Sequence, residues 1–240
     1  MTPTPPSEAA VSPSSSWTPL SEDHALLVRG YSTGPGNRTT TLVAGFGDGD
    51  LLVVSPGPDP SEASLAALEQ RGRVTAILAP NGFHRAGLAS WAARFPDATL
   101  HAAPAAAKRV AQVAPGVQDL EGLRVRLGGD LCLVEPPGLR SGEVWVSSPA
   151  EGGTLYAGDA FTNLSATSAF MAAFLWVLGF DGGLARNPWQ RRMMATDRPA
   201  FDRWLRAEVE RLRPGLLVPG HGDVVRGDDL TARLTALVPG

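Results

Sequence analysis

One cysteine, one lysine and four histidines among 240 residues already close several routes to function. With Cys132 alone no intrachain disulfide can form, and nothing demands an oxidising compartment. Cys132 lies in the apolar run 130–134, which reads as a strand, so a buried, inert thiol is expected. The longest apolar candidate, residues 169–179, is well short of the ~20 residues a membrane helix needs. The first residues lack the basic segment and apolar core of a secretory signal, so a cytoplasmic location is expected. Net charge is -3 and the sequence pI about 5.8, with no bias toward polyanions. Nucleic acid is therefore not an expected partner. The near-absence of lysine beside abundant arginine fits codon bias in a GC-rich genome. No GxSxG elbow and no GxxxxGK[ST] loop occurs. The glycine-rich stretch 45–49 lies between two strands, with no helix to receive a phosphate.

What is present reads as one large domain behind a short tail. Residues 1–16 are Pro, Ser, Thr and Ala with little to bury and are expected to be disordered; the domain spans 17–240. Short apolar runs at 24–31, 38–46 and 51–54, separated by turn clusters, predict an antiparallel meander. Residues 61–71 carry helical spacing with Ser61 as a cap, 74–78 a buried strand, 88–95 a second helix and 98–102 a strand. Strands are expected again at 123–127, 130–134, 143–148 and 154–157, with helical structure after Asp159. A long helix at 197–213, capped by Asp197, leads to a strand at 216–218 and a closing helix at 229–237. That order fits an α/β sandwich of two sheets with helices outside.

Three strand ends carry chemistry. The strand in Thr154-Leu-Tyr-Ala-Gly-Asp159 delivers a carboxylate, and the one in Leu216-Leu-Val-Pro-Gly-His221-Gly an imidazole between two glycines. Asp and His together are ligands for a hard-to-borderline metal. The loop Ala79-Pro-Asn-Gly-Phe-His84-Arg85 follows a strand and offers Asn81, His84 and Arg85. His101 alternates with apolar neighbours and reads as structural, His24 has no assigned role, and the tryptophans sit mostly at core positions.

In the order and spacing of these three places the sequence resembles the metallo-β-lactamase superfamily, over about 200 residues. Members carry a T-H-x-H-x-D-H loop, then P-G-H, then strands ending G-D and G-H. Within the superfamily the resemblance is to a branch with a degenerate loop, carrying a phrase like Ala79-Pro-Asn-Gly-Phe-His84 followed by Trp91, Phe95-Pro96 and Ala98. It implies an αβ/βα four-layer sandwich with an eroded ligand set. Asn81 and Phe83 stand where the first two histidines would be, Arg85 on the aspartate and Ala86 on the last histidine. Leu139 replaces the histidine of P-G-H. Only Asp159 and His221 keep ligand positions, and His84 joins them only if its loop shifts by one residue.

Two ligands do not normally hold zinc, since catalytic sites use three protein ligands and a water. The preferred expectation is metal-free, with the Arg85 guanidinium paired to Asp159 in place of the missing ion. In that form the cleft binds a small anionic ligand through Arg85, Asn81 and His84. The alternative is a single zinc-like ion on Asp159, His221 and His84, in a residual hydrolase of a small ester, thioester or lactone. A third reading makes the protein a structural partner in an assembly, with the apolar run 170–180, including Trp176, either core or an oligomer contact. Substrate and oligomeric state are not fixed by the sequence.

Overall fold

The structure is a computed structural model and describes residues 16–21, 26–33, 38–58, 60–165 and 182–239. The tail 1–15, His24 and the apolar run 170–180 lie outside the described residues. In chain order the first half holds β1 (Thr18–Ser21), β2 (Leu26–Ser32), β3 (Arg38–Phe46), β4 (Asp50–Val54), α1 (Glu62–Glu69), β5 (Arg73–Ala79), α2 (Leu88–Arg94), β6 (Thr99–Ala102), α3 (Pro104–Val110), β7 (Val117–Gln118) and α4 (Glu121–Leu127). The second half holds β8 (Cys132–Val134), β9 (Trp145–Ser148), β10 (Thr154–Tyr156), β11 (Phe161–Leu164), β12 (Gly183–Arg186), α5 (Arg198–Leu212), β13 (Leu216–Val218), β14 (His221–Gly222), β15 (Val225–Arg226) and α6 (Leu230–Ala236).

These strands form two sheets. The larger runs β12-β11-β14-β3-β4-β5-β6-β7, with β2 also on β3 and β1 on β2; the smaller runs β15-β13-β10-β9-β8. The meander expected over β2, β3 and β4 is antiparallel, and β4 through β7 are parallel.

Side-chain alternation explains why the sheets stack with helices outside. Leu42 and Ala44 of β3, Leu52 and Val54 of β4, and Ala76 and Leu78 of β5 share one core with Tyr156, Leu216 and Val218 of the smaller sheet. Their neighbours Val43, Leu51, Val53 and Ile77 point the other way, onto Leu68, Leu88, Trp91, Ala106 and Val110 of α1, α2 and α3. On the far side Leu155 and Leu217 pack on Phe201, Leu205 and Val209 of α5 and on Leu230 and Leu234 of α6. Strands covered on both faces must be apolar at every position, which is why β4 and β13 read as unbroken apolar runs. The result is the four-layer αβ/βα sandwich. No helix among the described residues is long and apolar enough to cross a membrane.

Three sequence expectations fail for physical reasons. Residues 123–127 form helix α4, not a strand. Leu-Arg-Val-Arg-Leu alternates, but its two leucines also stand at i and i+4; they are buried while Val125 is 76% exposed. Cys132 is exposed, because Leu131 and Leu133 face the core and the residue between them on edge strand β8 must face out. The chain after Asp159 continues as β11, paired with β12, rather than as a helix. Helix α3, starting at Pro104 after Ala103, is not anticipated by the sequence reading.

Candidate functional site

The site lies beside β3, where two strands share one edge. At one end β4 pairs with it through Leu42–Phe46, and at the other β14 places His221 opposite Thr39. Loops from β4, β5, β10 and β13 converge on the opening between them.

Asp159 follows β10 through Gly158, whose φ is +50; a Cβ there would lie 2.9 Å from Glu143 Oε1. Its backbone N–H donates to that same oxygen at 3.1 Å, and the residue is buried. His221 is fixed on both sides, by Thr39 of β3 and Thr162 of β11. Gly220 precedes it and donates its N–H to the Gly158 carbonyl at 2.7 Å. The two strand-end motifs are thus joined to each other by backbone.

Asn81 orders the third loop. Its Oδ1 accepts from the N–H groups of Phe83 at 2.8 Å and His84 at 3.1 Å, a tight side-chain turn. Its Nδ2 donates to Asp159 Oδ2 at 2.9 Å. That turn swings His84 inward. Nε2 of His84 lies 3.1 Å from Asp159 Oδ1, and Nε2 of His221 lies 3.1 Å from the same oxygen. The two rings sit edge to face, 5.1 Å apart.

Both imidazoles are held from behind. Nδ1 of His84 is 2.7 Å from Ser55 Oγ, which is 3.0 Å from the Tyr31 hydroxyl. Nδ1 of His221 is 3.4 Å from Thr39 Oγ1. Ser55 has φ +53 without being glycine, a strained conformation of the kind that gathers at functional sites. It is fully buried, so it cannot attack a substrate despite its place beside a His–Asp pair; it positions His84.

Burial pushes the Asp159 carboxyl up, but the two histidines outweigh it and hold the group well below the usual carboxylate range. His221 is raised, because bonding and charge from Asp159 overcome the downward pull of burial. Behind Asp159, burial and then the Asp159 charge push Glu143 up to about 8. Burial and the neighbouring negative charge both favour the neutral carboxyl. Its Oε1 accepts from Asp159 N–H, from Trp145 Nε1 at 3.1 Å and from Gln190 Nε2 at 2.7 Å. Its Oε2 has no partner among the described residues. A neutral isostere should therefore fit. Glu143→Gln is expected to stay within about 1 kcal/mol of the parent, whereas Glu143→Ala strips three buried donors of their acceptor and costs at least about 3 kcal/mol. Urea midpoints at pH 7 check both.

Of the expected site residues, Asn81, His84, Asp159 and His221 come together, and Arg85 does not. Its Nη1 donates to the Arg109 carbonyl at 2.9 Å and reaches Gln112 Oε1 at 3.4 Å. The expected Arg85–Asp159 pair is thus corrected: Asp159 is saturated by two imidazoles and an amide, and the turn that brings His84 in carries Arg85 outward. Arg85 keeps a place in the lining of the cleft above the site, which measures about 240 Å³. Leu139 belongs to the apolar core around Trp145 and Phe201. His101 is structural as expected, bonding Asp119 O at 2.6 Å and Thr99 Oγ1 at 2.8 Å. Tyr31, Ser55, Glu143 and Gln190 are missing from the sequence reading. Only Ser55, a polar strand-end residue before Pro-Gly-Pro, carries a local signal.

The donor set could hold one metal ion. Ligand atoms of His84, Asp159 and His221 all lie within 4.8 Å of one another, the one such group among the described residues. A tetrahedral ion with ligands at ~2.0–2.1 Å sets them about 3.3 Å apart, and each histidine Nε2 stands 3.1 Å from Asp159 Oδ1. Each histidine also has the oxygen partner on its second nitrogen that metal-binding imidazoles require.

No protein-family profile and no curated protein matches the chain. Solved structures do. A metallo-β-lactamase from Pontibacter korlensis superposes with TM-score 0.59 at 16% identity, covering 92% of this chain and 97% of that one. A metallo-β-lactamase from Erythrobacter litoralis, with β-mercaptoethanol in its active site, gives 0.63 at 13%, covering 92% and 95%. A flavodiiron core from Synechocystis sp. PCC6803 gives 0.62 at 13%; 96% of this chain is covered but only 61% of that longer one. At such identities the likeness establishes the fold, which is that of the metallo-β-lactamases.

Proposed function

We propose that the cleft is a mononuclear metal site in a hydrolase-like protein, with His84, Asp159 and His221 as the protein ligands and a small ester, thioester or lactone as substrate. The observation that carries this is the convergence of three donors, each just beyond a different strand (β5, β10 and β13), beneath an open cleft. A bound divalent ion would supply Lewis-acid polarisation of a substrate oxygen and acidification of a water. The chain's own groups do the rest. Ser55 and Thr39 hold the two imidazoles so that both Nε2 atoms face Asp159. Asn81 orients the carboxylate through Oδ2, leaving Oδ1 toward the histidines. Three protein ligands leave positions open to solvent and substrate, the pattern of catalytic rather than structural sites.

The expected result is one zinc per chain after purification without chelator. Stripping with chelator should lower Tm, and zinc should restore it, by an amount that grows with free zinc. A metal content near zero, unmoved by added zinc, rejects the proposal.

A second reading keeps the cleft metal-free. It is favoured by the direct bonds of both imidazoles to Asp159 and by the raised His221, whose charge is balanced by the carboxylate without an ion; a small anion would then bind against the imidazole edges. In that case phosphate or acetate, not zinc, raises Tm.

A further inference from the structure

Two large aromatic side chains stand at the mouth of the cleft instead of in a core. Phe83 is 41% exposed and Trp189 44%, and their rings meet edge to face at 5.6 Å. Neither sits on loose backbone. The Phe83 N–H is held by Asn81 Oδ1 at 2.8 Å, and the Arg109 guanidinium lies over the ring, 4.7 Å from its centroid. The Trp189 N–H is held by Oδ1 of buried Asn187 at 3.0 Å. Because Asn81 also binds Asp159, the position of Phe83 is tied to that of the donor cluster. Both aromatics line the same cleft as His84, Asp159 and His221.

We infer that Phe83 and Trp189 form the recognition wall for a single aromatic ring, so that the cleft takes a monocyclic aryl carboxylate or its ester with the carboxyl end at the donor cluster. Three observations carry this. Exposed aromatics fixed in place lose little freedom when a ligand covers them, so their burial goes into affinity. Ring against ring adds edge-to-face attraction that an aliphatic chain lacks, up to about tenfold in affinity. The cleft, about 240 Å³, is small beside the ~300–1,000 Å³ of pockets for drug-sized ligands, which suits a single ring. The polar end of the cleft lies opposite the aromatics: His84, His221 and Asp159 line it together, with Arg85 at its rim.

The orientation of the ligand rests on the reading of the donor cluster given above, and the test separates the two. Phenylacetate and acetate are titrated calorimetrically into the full chain, with zinc content measured on the same preparation. Phenylacetate should bind about tenfold more tightly than acetate. Trp189→Ala should bring the two within about threefold, Trp189→Phe should restore most of the preference, and zinc content should not change in either variant. Equal affinity of the parent for both acids, binding of neither, or a preference that survives Trp189→Ala overturns the inference. A ring preference in a protein that takes no zinc supports the aromatic wall and removes the metal; one zinc per chain with no ring preference does the reverse.

Discussion

Asp159→Ala is expected to abolish zinc binding at micromolar metal and to destabilise the metal-free protein. The carboxylate is the common partner of His84, His221 and Asn81. Its removal deletes one of three ligands and frees the two imidazoles to turn. Mutating even the supporting partners of metal ligands costs ~10–100-fold in affinity, so loss of a ligand itself should exceed about 100-fold. The stability cost follows from burial. Breaking a buried ion pair by removing one member costs about 3–5 kcal/mol, because the other member stays behind uncompensated. Asp159→Asn separates the two effects. It preserves the shape and an acceptor oxygen but removes the charge, so it should lose zinc while recovering part of the urea midpoint.

Gly222→Ala is expected to be as damaging, for a reason that involves no ligand atom. Gly222 has φ +100, and a Cβ there would stand 1.9 Å from the Asn163 carbonyl oxygen. That contact is with backbone, so no side chain can rotate away. β14 must separate from β11, and with it goes the register that sets His221 opposite Thr39 and Thr162. Strain at a left-handed site costs about 1–3 kcal/mol, and the backbone clash adds to it. A loss of at least about 3 kcal/mol in urea is expected, with zinc affinity falling alongside. Gly116→Ala provides the comparison: its φ is +80 but nothing lies within 4 Å of the added carbon. It should show the strain alone and leave zinc binding untouched.

How much of this is visible in the sequence depends on how local each determinant is. Unbroken apolar runs such as 51–54 and 216–218 specify strands covered on both faces, and the order of elements gives the layers. Asp159 and His221 are legible because each ends an apolar strand beside glycine. Residues 123–127 mislead because five residues satisfy both a strand and a helix, and only tertiary burial decides between them. His84 against Arg85 is a finer case. One residue of register depends on the Asn81 turn, and that turn depends on Asp159, 78 positions away in the chain. The residues that brace the site from behind, Ser55, Tyr31, Glu143 and Gln190, act through contacts made only when distant strands pair. Their individual sequence contexts carry almost nothing of that.

The most direct test is diffraction from crystals of the full chain grown with zinc, recorded at the zinc absorption edge. One anomalous peak per chain is expected, with Nε2 of His84, Nε2 of His221 and an Asp159 carboxylate oxygen each at ~2.0–2.2 Å, and Arg85 turned toward Arg109. No peak in the cleft, with the Arg85 guanidinium seated on Asp159, would contradict it.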